Sequence, residues 1–150
     1  MEILSVEEKD LSEILKLQKL CYLEYAVRYD NFSIPPLTQD LESIKSDCRN
    51  SIILKAIIGQ NIIGSVRAYV KDKTCYIDRL IVHPNYQNKG IGSTLLFAIE
   101  NRFPGAERYE LFTGHKDEKN LYFYKKQGYA VFKEEDLDPK TRLVFMEKVK

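Results

Sequence analysis

Three groups of residues in this sequence have the types and spacing to do chemistry. They are a glycine-bearing loop, Gln87-Asn88-Lys89-Gly90-Ile91-Gly92; an aspartate upstream of it, Asp78; and a pair four residues apart, Asn120 and Tyr124. Gly90 and Gly92 lack the Cβ atoms that would hold a ligand off the backbone. Past them, Leu96, Ile99 and Phe103 recur at i, i+3 and i+7, which predicts a helix with one apolar face. The first N–H groups of such a helix have no internal partners and lie at the positive end of its dipole. A loop of this kind suits an anion, a phosphate or pyrophosphate. Lys89 adds a charge of the right sign.

The run before the loop, Tyr76 to Val82, is dense in aromatic and β-branched residues, and Pro84 ends it, so it reads as a strand. Strand, loop and helix together allow three nucleotide motifs. A Walker loop needs Gly-Lys-Ser/Thr, but Gly92 is followed by Ser93-Thr94. A dinucleotide fingerprint needs a glycine or alanine where Leu95 stands. The pattern that fits is Leu-x-Val-x-Pro-x-x-Gln-x-x-Gly-x-Gly, at Leu80, Val82, Pro84, Gln87, Gly90 and Gly92. It resembles motif A of the GNAT N-acetyltransferase superfamily. The resemblance implies acetyl-CoA as co-substrate, with its pyrophosphate on the backbone of Gln87, Asn88, Lys89, Gly90, Ile91, Gly92 and Ser93. It also implies that the pantetheine arm runs along the backbone of Leu80, Ile81 and Val82.

The segment Asn120-Leu121-Tyr122-Phe123-Tyr124-Lys125-Lys126-Gln127-Gly128-Tyr129 is similar to a second signature of that family. In the family the asparagine bonds the pantetheine and the tyrosine sits beside the coenzyme sulfur, which implies those roles for Asn120 and Tyr124. Spacing of i, i+4 puts both on one helical face. Acetyl transfer needs a neutral amine, although a lysine-like amine has a pKa near ~10.4. It also needs donors for an oxyanion and a proton for the departing thiolate. Tyr124, a phenol, can supply that proton. The Val82 N–H is the expected oxyanion donor.

Asp78 is the candidate base. Period two along the strand places Tyr76, Asp78, Leu80 and Val82 on one face and turns Arg79 to the other. Two further roles stay open for Asp78, a salt bridge or recognition of a cationic acceptor, with ordered water taking the proton. Tyr122, His83 and His115 read as structural.

Elements placing these residues follow from the order of patterns. Ser5 to Glu8 matches a capping box, opening a helix that reaches about Arg28. Its end, Glu24 to Tyr29, is either a half-buried helix end or a wall of the acceptor pocket. Thr38 is placed to cap a second helix carrying Leu41, Ile44 and Cys48. Ser51–Ile58 and Ile62–Val70 form a hairpin around Gly59-Gln60-Asn61. Glu107–Thr113, a helix over Glu118–Gln127 capped by Gly128, and strands at Tyr129–Lys133 and Thr141–Val149 complete the chain. A helix joins the motif strand to Glu107–Thr113, so those two strands should be parallel. The fold class is α/β. The resemblance implies a GNAT fold, a mixed central sheet of about six to seven strands flanked by helices, with the central parallel strands splayed.

At 150 residues one domain over 1–150 is expected. Lys and Arg number 23 against 22 Asp and Glu, a net charge of +1, which gives no global attraction to nucleic acid. No apolar run approaches the ~20 residues of a membrane span, and Met1 to Asp10 is unlike a signal peptide. Three scattered cysteines and two histidines suggest neither a metal site nor a disulfide framework, so a reduced cytoplasmic enzyme is expected. Its partners should be acetyl-CoA and a small-molecule or peptide amine, with no nucleic acid and no membrane; a homodimer is compatible with the reading. The competing reading is a non-catalytic acetyl-CoA-binding sensor. Tyr124 favours the enzyme, because a sensor has no use for a proton donor.

Overall fold

The β-branched runs pair into one mixed sheet, and the amphipathic runs cover its two faces. The computed structural model describes every residue from Met1 to Lys150. In chain order the elements are β1 (Glu2–Ser5), α1 (Leu11–Tyr29), α2 (Pro35–Thr38), α3 (Leu41–Asn50), β2 (Ile52–Ile58), β3 (Asn61–Lys71), β4 (Thr74–Val82), α4 (Ile91–Glu100), β5 (Arg108–Gly114), α5 (Glu118–Lys126), β6 (Ala130–Asp138) and β7 (Thr141–Val149). The seven strands lie in the order β1-β2-β3-β4-β5-β7-β6, all neighbours antiparallel except β4 and β5. No helix is long and apolar enough to cross a membrane.

Two apolar clusters flank the sheet. On one face Leu11, Ile14 and Leu17 of α1 and Ile44 of α3 pack with Ile53, Ile62 and Ile81. On the other, Ile91, Leu95, Leu96 and Ile99 of α4 and Tyr124 of α5 pack with Val66, Cys75, Ile77, Leu111 and Met146, among others. Burial of this apolar area on both faces is what holds the helices to the sheet.

Several boundaries differ from the sequence expectation. Ser5 ends β1 instead of capping a helix, and the capping box forms two residues later. There Glu7 N–H donates to Asp10 Oδ2 over 2.9 Å, in front of a 3-10 turn. The α3 cap is Asp40, which accepts from Ser43 N–H at 2.9 Å; the expected cap, Thr38, closes the short helix α2. Asp40 succeeds because a carboxylate reaches the free N–H groups of the first turn. α4 stops at Glu100, so Phe103 packs from the following turn and not from the helix face. β6 runs to Asp138, well past Lys133, because β7 offers it a partner along that length.

Two irregularities of β4 set up the cleft. It pairs with β5 only at Thr74–Arg108, Cys75–Tyr109 and Tyr76–Glu110, whereas β5 pairs with β7 from Arg108 to Gly114. Beyond Tyr76 the two parallel strands separate. In addition, Arg67 faces Asp78 and Ser65 faces Ile81, so two steps along β3 match three along β4. This is a β-bulge, and Arg79 occupies it with φ of +52°.

The bulge inverts the alternation of side chains. Cys75 and Ile77 pack with α4, and so do Leu80 and Val82 after it, while Ile81 packs with α1 and α3. Asp78, paired with Arg67 across the strands, therefore lies on the α1 face. The expectation that Asp78 shares a face with Leu80 and Val82 is overturned. Strict period two holds only in an unbroken strand.

Candidate active site

A cleft of about 740 Å³ opens where β4 and β5 part. Its walls come from the C-terminal half of β4, the loop into α4, β5, α5 and the second half of α1. The sequence-derived site residues Asp78, Leu80, Ile81, Val82, Gln87, Asn88, Gly90, Ile91, Gly92, Ser93, Asn120 and Tyr124 all line it.

The loop is built as the spacing required. Gly90 is the N-cap of α4 with φ of +81° and ψ of 4°, a left-handed conformation that glycine adopts without a Cβ penalty. Its carbonyl accepts from Thr94 N–H (3.1 Å), Ser93 Oγ (3.0 Å) and Thr94 Oγ1 (2.8 Å), which ties down the first helical turn. None of the backbone N–H groups from Gln87 through Ser93 donates to a carbonyl of the protein. Gln87 folds its side chain back, Nε2 donating to Val82 O at 3.1 Å. Lys89 departs from expectation: its ammonium stands 5.5 Å over the Tyr86 ring and it is not among the cleft-lining residues. Lys119 and Lys126, both on α5, line the cleft instead. Their sequence carries no pattern that separates them from the other lysines of that helix.

The open edge of β4 faces the cleft. His83 N–H donates to Ile63 O of β3 at 2.8 Å, so by alternation the Val82 N–H points to the opposite edge, toward the gap left by β5. On that side Val82 O accepts the Gln87 amide and the Cys21 thiol. Burial pushes the Cys21 thiol up to about 12, which makes it inert at neutral pH.

Tyr124 sits at the centre of the cleft. It is 8% exposed, with its ring edge-on to Phe123 at 5.2 Å and to Tyr129 at 6.0 Å. Burial raises its phenol above the ordinary value, and the charges of Asp78 and Asp117 add to the effect. It is therefore a neutral proton donor at any physiological pH, and its hydroxyl makes no hydrogen bond within the protein. One turn earlier, Asn120 Nδ2 lies 3.5 Å from Thr113 Oγ1, which in turn lies 3.5 Å from Asp117 Oδ2. Asp117 is buried and paired with Arg28; burial raises its carboxyl and the guanidinium opposes that rise.

Asp78 reaches the cleft from the α1 side, its side chain 40% exposed. Its Oδ1 accepts Arg79 N–H at 2.7 Å and its Oδ2 accepts Arg79 Nη1 at 2.8 Å. Arg79 was expected to point away; the left-handed turn at the bulge brings it into the same cleft. Tyr22 and Tyr25 also line this side, so the aromatic half of α1 is a cleft wall, while Tyr29 is 1% exposed and receives the Lys116 N–H at 2.8 Å. The two histidines are occupied structurally. His83 Nδ1 accepts from Asn85 N–H at 3.1 Å, and His115 Nδ1 lies 3.1 Å from Arg142 N.

A family model described as the acetyltransferase (GNAT) family matches residues 11–129. No curated protein matches the sequence. Among solved structures, the fold is similar to a PaiA N-acetyltransferase from Thermoplasma acidophilum in complex with coenzyme A, at 22% identity and a TM-score of 0.77, over 99% of this chain and 98% of that one. It is similar to the ribosomal-protein-S18-alanine N-acetyltransferase of Escherichia coli at 14% identity and a TM-score of 0.81, covering 99% and 92%. A GNAT family acetyltransferase from Elizabethkingia anophelis with acetyl-CoA bound matches 73% of this chain and 82% of its own at 22% identity, with a TM-score of 0.64.

Proposed function

The chain belongs to the acetyltransferase (GNAT) family, and from that premise we propose that it moves an acetyl group from acetyl-CoA to a primary amine by direct attack. The observation that carries this reading is the meeting, in one cleft, of the phenol of Tyr124 with a run of unbonded N–H groups, Gln87 to Ser93, of which every residue but Lys89 lines the cleft. The N–H groups and the α4 dipole receive the pyrophosphate. Leu80, Ile81 and Val82 offer their backbone to the pantetheine, and Asn120 bonds it from α5. Lys126 and Lys119 replace Lys89 as the basic groups near the coenzyme.

Asp78 draws the ammonium form of the acceptor to the cleft and takes its proton. The Val82 N–H stabilises the oxyanion as the amine nitrogen adds to the thioester carbon. Tyr124 then protonates the sulfur as the C–S bond breaks, and its phenolate regains the proton that the new amide nitrogen sheds, while Asp78 returns its own to solvent. One continuous sheet from Glu2 to Val149 supports residues 1–150 acting as one acetyltransferase domain.

The test is calorimetric titration with coenzyme A, followed by a panel of amines with thiol release as readout. Coenzyme binding without turnover of any amine would reassign the protein as a sensor. Asp78→Asn is expected to keep coenzyme affinity within twofold and to lower kcat/KM for the acceptor by about 10- to 100-fold, in the range of lost acid–base assistance. Wild-type kcat/KM in that variant removes Asp78 from the mechanism.

A further inference from the structure

Arg79 is the anomaly of the cleft. A non-glycine residue with φ of +52° is uncommon, and here it turns a guanidinium into the cavity. The side chain is 13% exposed and its Nη1 is committed to Asp78 at 2.8 Å. Its Nε is buried and has no hydrogen-bond partner. Buried donors are nearly always satisfied, so a donor left over inside a ligand cleft calls for an acceptor brought by the ligand. Thr141 repeats the observation: it is 2% exposed, lines the same cleft, and its Oγ1 is also without a partner. A second guanidinium, Arg67, lies on the same face of the sheet behind the cleft wall, bound to Asp47 (2.7 Å) and Gln18 (2.6 Å); its Nε is also unpaired, but it does not line the cleft.

Resting on the acetyl-transfer reading above, we propose that the acceptor is a free α-amino acid with an apolar side chain, its carboxylate held by Arg79 and its amine by Asp78. The planar fork of arginine matches a carboxylate, and with Nη1 given to Asp78 its Nε and Nη2 are both uncommitted. Asp78 accepts only two hydrogen bonds and keeps lone pairs for an ammonium. An α-amino acid carries its ammonium and carboxylate on one carbon, a pair of opposite charges as close as the Asp78 carboxylate and Arg79 guanidinium, whose Oδ2 and Nη1 are 2.8 Å apart. A simple amine leaves Arg79 Nε unpaired, and a peptide amine presents it only a neutral carbonyl. Ile34, Pro35, Pro36, Leu137 and Leu143 line the same cleft and offer apolar surface to the side chain.

The experiment compares L-leucine, L-methionine and L-phenylalanine with their decarboxylated amines and with their carboxamides. Binding to coenzyme-saturated protein is measured by calorimetry, and turnover by thiol release. At least one amino acid is expected to bind, and to exceed its decarboxylated amine and its amide by 100-fold or more in kcat/KM, because a site built for a polar group rejects analogues lacking it. Arg79→Met should collapse that ratio to below 10. Arg79→Lys, which keeps the charge beside Asp78 but loses the fork, should cut it at least 10-fold with coenzyme affinity retained as evidence of a folded cleft.

Failure of all three amino acids to bind overturns the proposal, as does equal or better use of the decarboxylated amines or the amides; in the latter case acetyl transfer itself stands. Carboxylate-dependent binding without thiol release overturns the acceptor role together with the acetyl-transfer reading, and leaves the cleft an amino-acid-binding site only.

Discussion

A buried phenol with no partner in the protein is a poor packing residue and a good proton donor. Burial keeps the Tyr124 hydroxyl protonated, so its proton is available wherever the enzyme works. Tyr124→Phe keeps the ring that packs against Phe123 and Tyr129 and removes only the hydroxyl. It is expected to lower kcat by about 100-fold or more with coenzyme affinity unchanged, the usual span for a general acid. An equal loss of binding and turnover would make Tyr124 a packing residue. The pairing of Tyr124 with Asn120 was legible in the sequence because helical spacing alone puts i and i+4 on one face, and helix α5 is regular across both. The placement of Asp78 was not. It depended on whether β4 was unbroken, and nothing in Tyr76 to Val82, with no glycine or proline, marks a bulge. The same hidden turn misdirected Arg79, which period two turned to the opposite face and whose backbone aims it at the cleft.

At the scale of elements, the loop from β4 into α4 was the most readable part of the chain. Its chemistry resides in backbone N–H groups, so a glycine pattern and a following helix specify it without knowledge of long-range packing. The pattern also identifies the sensitive residue. A Cβ at Gly90 would meet nothing within 4 Å, so steric clash is not the issue; the φ of +81° is. Gly90→Val asks a β-branched residue to hold a left-handed conformation, and the loop will move to a negative φ, turning its N–H groups off the phosphate path. The expected result is a coenzyme dissociation constant raised 10-fold or more in a domain whose circular dichroism is unchanged. Unaltered affinity by calorimetry would separate the loop from coenzyme binding. By contrast, the capping box and the α3 cap each lie two residues past the expected position, and α1 itself starts only at Leu11. Ser5 and Thr38 are as good caps as Glu7 and Asp40 on local grounds, and the choice fell to where β1 and α2 end.

On the scale of the whole molecule, packing on both faces of one sheet buries several phenols. Tyr29, Tyr124 and Tyr129 are 1%, 8% and 3% exposed, and burial raises each above the ordinary value of 10.0. For Tyr129 the bond to Glu100 Oε2 at 2.6 Å and that residue's charge push the same way. Tyr22 and Tyr25, on the acceptor wall, are raised by burial as well. Below pH 10 the folded and unfolded chains both hold these protons, and the phenols give stability no pH dependence. Above pH 10 the unfolded chain releases protons that the folded chain keeps, so stability must fall as pH rises. Each retained proton contributes a slope of about 1.4 kcal/mol per pH unit. Several such groups acting together erode a typical domain's roughly 5–15 kcal/mol as pH rises above about 10. The urea midpoint should therefore hold steady with respect to these groups from pH 8 to 10 and drop steeply beyond. Phenolate absorbance near ~295 nm should then rise in two stages, the exposed rings first and the buried set together with the loss of circular dichroism, as their raised pKa values require. Titration of all ten tyrosines as a single class near pH 10, with the fold intact, would mean that these rings are open to water and that the cleft does not keep Tyr124 protonated.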